Sequence, residues 1–574
     1  MPDFRSVLAE RLQAGFDALE RGADPVLRES DRADFQVNGT LALAKRLGRN
    51  PREVAAEILA TTDLADLCER VEISGPGFVN LTLSASFIGA EVGELSSDDR
   101  LGVARAEHPV TVVVDYSAPN VAKEMHVGHL RTTLIGDSLC RMLDLVGHRV
   151  VRENHIGDWG TPFGMLIEHL IDLGEEKGAH ELSVGDLDSF YLGARASFDA
   201  EESFRERARR RVVLLQSGDT ETLRLWRVLV GESVRYFDEV YAKLGVLLTD
   251  GDIVGESAYN PMLPDVVADL ESLGLLVEDG GARCVFPPGF TNRDGDPLPL
   301  IVQKSDGGYG YATTDLAALR DRVDRLGAEQ ILYVVGAPQS QHLQMCFAVA
   351  RMAGWLPGQR EAVHVSFGSV LGPDRKIFRS RSGSRVKLVE LLDEGVERAG
   401  RALGDRVAGL SAAERAEVSR ALGIGAVKYA DLSTDRTRDY VFDWERMLAF
   451  EGNTGPYLQY AHARVRSIFA RGGVEPPAPG VAPTLGHPNE RALALALLGF
   501  DGAVQEALRT YNPSKLAAYL FALATSFTTF YESCPVLRAP DEEARRSRLL
   551  LSDLTARVLA AGLGLLGMSA PDHM

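Results

Sequence analysis

At 574 residues the chain exceeds what one hydrophobic core organises, so roughly three or four domains are expected, and 45% apolar with 25% charged residues excludes a disordered or collagen-like polymer. A formal charge of −19 excludes a protein that coats nucleic acid non-specifically, because phosphate contacts need a basic surface. The five cysteines, Cys68, Cys140, Cys284, Cys346 and Cys534, are too scattered for a disulfide framework or a C-x-x-C zinc knuckle.

Met1 to Gly22 alternates charge with apolar residues and lacks the apolar core of a secretory signal. No run is long enough to span a bilayer, so no membrane partner and a cytoplasmic address are expected. Residues 1–105 read as a small α/β domain: an amphipathic opening helix, a helix near Thr40 to Leu47, another begun by Pro51, and an extended stretch from Val71 to Leu83 broken at Ser74-Gly-Pro-Gly77. The polar run Ser96 to Arg100 reads as an exit linker. At Thr111-Val-Val-Val114 a continuous β-branched run predicts a strand buried on both faces of a parallel sheet. Leu130, Leu134, Leu139, Met142, Leu143 and Val146 then recur at helical spacing until Gly147, and a second extended segment runs from Arg149 to Asn154.

This β-loop-α-β unit is the building block of a doubly wound sheet, so a Rossmann-like α/β domain is expected over 106–365, with further strands at Gln330 to Val335 and Ala362 to Val370. Residues 170–250 read as a helical insertion and 366–410 as a loop with a connecting segment. From Ser411 to the end, 411–574 reads as a helical bundle, interrupted by the Pro- and Gly-rich stretch Gly472 to Pro488.

Two stretches carry chemistry. Asp115-Tyr-Ser-Ala-Pro-Asn-Val-Ala-Lys-Glu-Met-His-Val-Gly-His129 lies between the first strand and its helix, where free backbone N–H groups and the helix dipole favour phosphate. His126 and His129 share a face there, and Gly128 lets a flat base approach the backbone. Taken alone, the pair fits a surface or capping role as well. The second stretch, Gly372-Pro-Asp-Arg-Lys-Ile-Phe-Arg-Ser-Arg-Ser-Gly383, is a cation-rich loop too hydrophilic for the core. Lys376 and Arg379 could close on the β and γ phosphates of ATP; an exposed basic loop is the alternative. The arginines at 205, 207, 209, 210 and 211 read as a solvated helix face.

Together, His126-Val-Gly-His129 and Lys376-Ile-Phe-Arg-Ser380 resemble the H-I-G-H and K-M-S-K-S signatures of class I aminoacyl-tRNA synthetases. The second is degenerate, with Phe378 and Arg379 replacing a serine and a lysine. Gly157-Asp-Trp-Gly160, Gly455-Pro-Tyr-Leu-Gln-Tyr-Ala-His-Ala-Arg464 and Pro76-Gly-Phe-Val-Asn80 narrow the resemblance to arginyl-tRNA synthetase, along the whole chain and in that family's domain order.

The resemblance implies an N-terminal domain that binds the tRNA core, a catalytic domain and a C-terminal anticodon-binding bundle. It implies ligation of L-arginine to tRNA(Arg), with ATP and Mg2+. His126, Gly128, His129, Lys376 and Arg379 would hold ATP. Asp115, Asn120, Tyr311, Asp315 and Gln339 would hold arginine. Phe78, Asn80, Tyr457, Tyr460, Arg464, Tyr531 and Met574 would contact tRNA. Tyr311 and Asp315, one helical turn apart, suit a guanidinium fork; a core aromatic and a capping acid are the alternative. For Tyr457 and Tyr531 the alternative is an aromatic stripe between helices. No structural metal is implied, and a monomer is expected. A small-molecule nucleotidyltransferase also uses H-x-G-H, but it would need neither end domain. A non-catalytic tRNA-binding relative would not need His126, His129 and Lys376.

Overall fold

The computed structural model describes residues 4–174, 187–378, 386–404 and 409–574. The N-terminal domain holds an antiparallel sheet in the order β1-β2-β4-β3, with β1 at Leu27–Ser30, β2 at Ala33–Val37, β3 at Cys68–Ser74 and β4 at Phe78–Leu83. Phe35, Val37, Val79 and Leu81 alternate toward the core and pack with Leu8, Leu12 and Ile58 of the helices Phe4–Asp17 and Pro51–Thr61. The extended stretch was legible; the hairpin β1-β2 was not. Ser96, expected to open a linker, ends the helix Ala85–Ser97 instead. It is buried, and its Oγ donates to the Gly93 carbonyl and accepts from the Gly480 N–H, which ties the domain to the C-terminal part.

The central sheet is parallel, in the order β11-β10-β5-β6, with β5 at Thr111–Asp115, β6 at Arg149–Glu153, β10 at Gln330–Tyr333 and β11 at Glu361–His364. Val112, Val113 and Val114 are fully buried, which is why this inner strand is apolar without alternation. The helix Val127–Leu145 connects β5 to β6. The stretch expected as one strand over Ala362 to Val370 divides into β11 and the short β12, Val370–Leu371, which leaves the sheet to pair with β13, Tyr440–Val441. A small antiparallel sheet of β7 (Val277–Asp279), β8 (Ala282–Val285) and β9 (Leu300–Gln303) was not foreseen.

Helices Leu187–Ala200, Glu202–Gln216 and Thr220–Leu244 make the insertion, and six long helices between Ala412 and Leu565 make the bundle. Two junctions fix that bundle. Arg491 forms two bonds to Asp34, of 2.8 and 2.5 Å. Lys428, brought down to about 8 by burial, donates to the Gly567 carbonyl at 2.6 Å beside Asp137, while Ser138 Oγ donates to the Leu565 carbonyl at 2.9 Å. Among the described residues, no helix is long and apolar enough to cross a membrane.

Candidate active site

The loop leaving β5 runs through three non-glycine residues with left-handed backbone: Ser117 (φ 74°), Ala118 (φ 48°) and Ala122 (φ 58°). Each costs about 1–3 kcal/mol and persists only where its surroundings over-determine it. They do so here. Ser117 N–H donates to Thr132 Oγ1, Ala118 N–H to Asn154 Oδ1 and Ala122 N–H to Ser233 Oγ, at 2.9, 3.0 and 2.9 Å. The last contact comes from the insertion, so the helical module braces the loop. Asn120 lies exposed beside Gly157, where a Cβ would meet Asn120 Oδ1 at 2.5 Å.

The loop ends in a reciprocal cap. His126 Nδ1 accepts from Gly128 N–H at 3.0 Å, and His129 Nδ1 accepts from His126 N–H at 3.1 Å. The rings lie 4.1 Å apart. The capping role weighed from sequence is therefore real, and it has a chemical consequence. With both Nδ1 atoms accepting, each neutral imidazole carries its proton on Nε2, so both present a donor. A Cβ on Gly128 would lie 2.7 and 2.8 Å from Cε1 and Nδ1 of His126, so the glycine leaves room for that ring.

The cationic loop is anchored on both sides. After it, Val386 and Leu388 bond across to Val127 and Met125, and Lys387 pairs with the buried Glu124 at 3.1 Å. Before it, Phe378 stacks on Phe442 with centroids 4.8 Å apart, next to β13. Arg131 of the imidazole-bearing helix reaches that region, donating to the Arg438 carbonyl at 2.8 Å and lying 5.4 Å over Tyr440. Lys376 is exposed. Arg379 lies outside the described residues.

Carboxylates gather at the C-terminal edge of the sheet. Asp115 is buried and already faces a guanidinium of the chain itself: Arg322, fully buried, donates to Asp115 at 2.8 Å and to Glu153 at 2.5 Å. Asp315, on the same helix as Arg322, accepts from or shares a proton with His342 Nε2 at 2.5 Å, and this raises the His342 pKa. Tyr311 opens that helix and is 76% exposed; Gln339 is exposed at the start of the helix Ser340–Met352.

Glu256 is a residue sequence reasoning missed. Desolvation first, then Asp158 and Asp315, push its carboxyl up to about 7. Asp158 itself is raised by burial, although Ser257 holds it through two bonds of 2.8 and 2.6 Å. Burial first, and neighbouring carboxylates second, thus favour the neutral form of Glu256.

The arginine-rich helix face turns largely to internal pairing: Arg207 bridges Glu168 and Asp172, and Arg211 holds Glu168 at 2.7 Å. In the N-terminal sheet Phe78 is half-buried, and Asn80 is buried with its Oδ1 accepting from Gln36 at 2.7 Å. On the helix Gly455–Gly472, Tyr460 is 39% exposed and meets Phe450 edge-on, while Arg464 lies 4.5 Å over the Tyr531 ring. Tyr457 is half-buried against Phe521, closer to the packed alternative. The C-terminal tail is pinned by Gln459 on the Ser569 carbonyl and Arg466 on Asp572, and Met574 packs against the cluster of Ala399, Leu403, Val418 and Leu422.

Three family models match the chain. They are described as arginyl tRNA synthetase N terminal domain (residues 3–83), tRNA synthetases class I (R), catalytic domain (91–444), and DALR anticodon binding domain (458–574). A relative from Thermobifida fusca named arginine–tRNA ligase is 55% identical, with 100% of both chains covered. The crystal structure of arginyl-tRNA synthetase from Plasmodium falciparum superposes with TM-score 0.87 at 30% identity, covering 100% of both chains. That of Thermus thermophilus gives 0.84 at 26%, covering 99% of this chain and 100% of its own.

Proposed function

This chain belongs to the arginyl-tRNA synthetase family and is a ligase that joins arginine to tRNA at the expense of ATP; on that premise we propose how its own residues divide the work. Arginine lies along the carboxylate-lined edge of the sheet. Its guanidinium faces Asp315 and Glu256 with Tyr311 and Gln339 beside it, and Asn120 and Asp115 hold the amino acid end. What supports this placement is that Tyr311, Asp315 and Gln339 lie at the starts of neighbouring helices on that edge, with Glu256 raised to about 7 by burial first and then by Asp158 and Asp315; a guanidinium's planar fork matches such carboxylates.

The arginine carboxylate then attacks the α-phosphate of ATP. No protein nucleophile is required. The Nε2–H groups of His126 and His129 donate to the phosphate whose charge rises, with the helix N-terminus and Gly128 beneath, while Lys376 and Arg379 accompany departing pyrophosphate. Around this helix start the donors are imidazole, ammonium and backbone N–H. They suit phosphate oxygens rather than Mg2+, so a magnesium ion accompanying ATP would supply charge neutralisation of the phosphates without a ligand from this helix start. The terminal adenosine 2′-hydroxyl of tRNA(Arg) then attacks the carbonyl of the arginyl-adenylate, the carbonyl–phosphate bond breaks, AMP leaves and the hydroxyl proton goes with it or to solvent. Phe78 touches the tRNA core, with the buried Asn80 behind it held by Gln36; Tyr460 and Arg464 touch the anticodon loop, with Tyr531 under Arg464 and Met574 in the tail beside them, while Tyr457 packs against Phe521. The enzyme works as a monomer in the cytoplasm.

The test is ATP–pyrophosphate exchange with arginine, with and without tRNA. Lys376→Ala should slow adenylate formation more than the later transfer in single-turnover assays. Equal losses in both steps would contradict the role given to Lys376.

A further inference from the structure

Behind the acidic edge lies a donor set that arginine recognition leaves half unused. The helix Ser340–Met352 presents His342 and Cys346 one turn apart on one face, and Asp315 faces them from the helix Tyr311–Asp324. His342 Nε2 is 2.5 Å from Asp315 Oδ2 and 3.7 Å from Cys346 Sγ, and the three donor atoms lie within 4.8 Å of one another. No other group of three such residues meets that spacing among the described residues.

An imidazole nitrogen, a sulfur and one carboxylate oxygen are the ligands of zinc and its softer congeners; Mg2+ and Ca2+ take oxygen alone. With metal–sulfur and metal–nitrogen bonds of about 2.3 and 2.0–2.1 Å, a tetrahedral ion sets sulfur and nitrogen roughly 3.5 Å apart, near the separation already present. The nitrogen–oxygen pair must open by about 1 Å on the same geometry, and the sulfur and oxygen, within 4.8 Å of each other, must settle at a similar separation. Cys346 is 1% exposed, whereas the side chains of His342 and Asp315 are 33% and 25% exposed. The thiol therefore closes the back of the site, and a fourth position lies on the side where His342 and Asp315 are exposed.

We propose that Asp315, His342 and Cys346 form a three-ligand site for a zinc-type divalent cation, and that filling it excludes arginine by taking the carboxylate its guanidinium needs. The exclusion, but not the binding, rests on the placement of arginine against Asp315 given above. On binding, the thiol proton leaves to solvent as the sulfur–metal bond forms, and the proton on His342 Nε2 moves to Nδ1 or to solvent. No electron is transferred. Until an ion arrives, burial keeps the Cys346 pKa high and the thiol protonated.

Cadmium chloride titrated into the full-length protein should give the ultraviolet cadmium–thiolate charge-transfer band. The band should disappear in Cys346→Ala, and cadmium affinity should fall at least about 100-fold in His342→Ala, since even groups behind a ligand are worth 10- to 100-fold. No band in the wild type, or a band unchanged in both variants, overturns the site. Equilibrium binding of L-arginine to the same samples should weaken in proportion to cadmium occupancy. If cadmium binds through Cys346 yet arginine affinity is unchanged, the metal site stands and the placement of arginine is wrong. If the wild type binds no cadmium while Asp315→Asn still loses arginine, the placement stands and the metal site is wrong.

Discussion

Replacing Gly128 with alanine separates the chemical role of the imidazole pair from its capping role. The new Cβ would sit 2.7 Å from His126 Cε1 and 2.8 Å from Nδ1, closer than non-bonded atoms approach, so the ring must swing away. That swing breaks the 3.0 Å bond from Gly128 N–H. Loss of a cap costs about 0.5–2 kcal/mol, but alanine in place of glycine in a helix returns up to about 1 kcal/mol. Global stability should therefore change little. Catalysis should not be spared if His126 has the proposed role, because the ring that carries the Nε2–H donor moves. Losing one such donor costs about 2.7–4 kcal/mol, or 10²–10³ in kcat. Chemical denaturation and arginine-dependent pyrophosphate exchange on the same preparation measure the two effects. An exchange rate within about threefold of wild type, under 1 kcal/mol of barrier, would refute the use of that ring.

Four further outcomes follow from the same geometry. Asp315→Asn removes a charge-assisted bond worth about 1.5–3 kcal/mol, so KM for arginine should rise roughly 10- to 150-fold with KM for ATP unchanged; an unaltered arginine KM removes Asp315 from the pocket. Because the Glu256 carboxyl is raised to about 7, it is mostly neutral below that pH and charged above it, so arginine affinity should increase between about pH 6 and 8. The raised His342 imidazole loses its charge in the same sense; Glu256→Gln should flatten the profile, and identical slopes in the two proteins would contradict the assignment. Arg322→Met strands Asp115 and Glu153 as buried unpaired carboxylates and should cost roughly 3–5 kcal/mol in denaturant unfolding; a loss under 1 kcal/mol would show that their pairing is unimportant. Tyr460→Ala should raise KM for tRNA by the roughly 1–3 kcal/mol of one base stack while leaving KM for arginine alone.

What the sequence reveals follows how local each signal is. Val112 to Val114 and the helix Val127–Leu145 were legible because burial on all sides demands an unbroken apolar run and a helical period. The strand β7 is exposed at all three residues, so it carries no alternation to detect. Ser96 looked like linker because polarity was read without the tertiary partner, Gly480, that satisfies it. In the site, His126 and His129 stood out through close spacing. Asp115 was singled out, but not Arg322, which meets it across 207 positions. Glu256 sits in a polar turn with no period, and only folding brings Asp158 and Asp315 to it.

The junction of Lys428, Gly567 and Asp137 has a consequence for how the bundle can move. There the turn after the helix Glu542–Leu565 and the helix Val127–Leu145 share one packed wall, so the span between them is set by close-packed atoms and not by a hinge. Any swing of the bundle relative to that helix must therefore break the Lys428 and Ser138 bonds together, and disturbing one element strains the other.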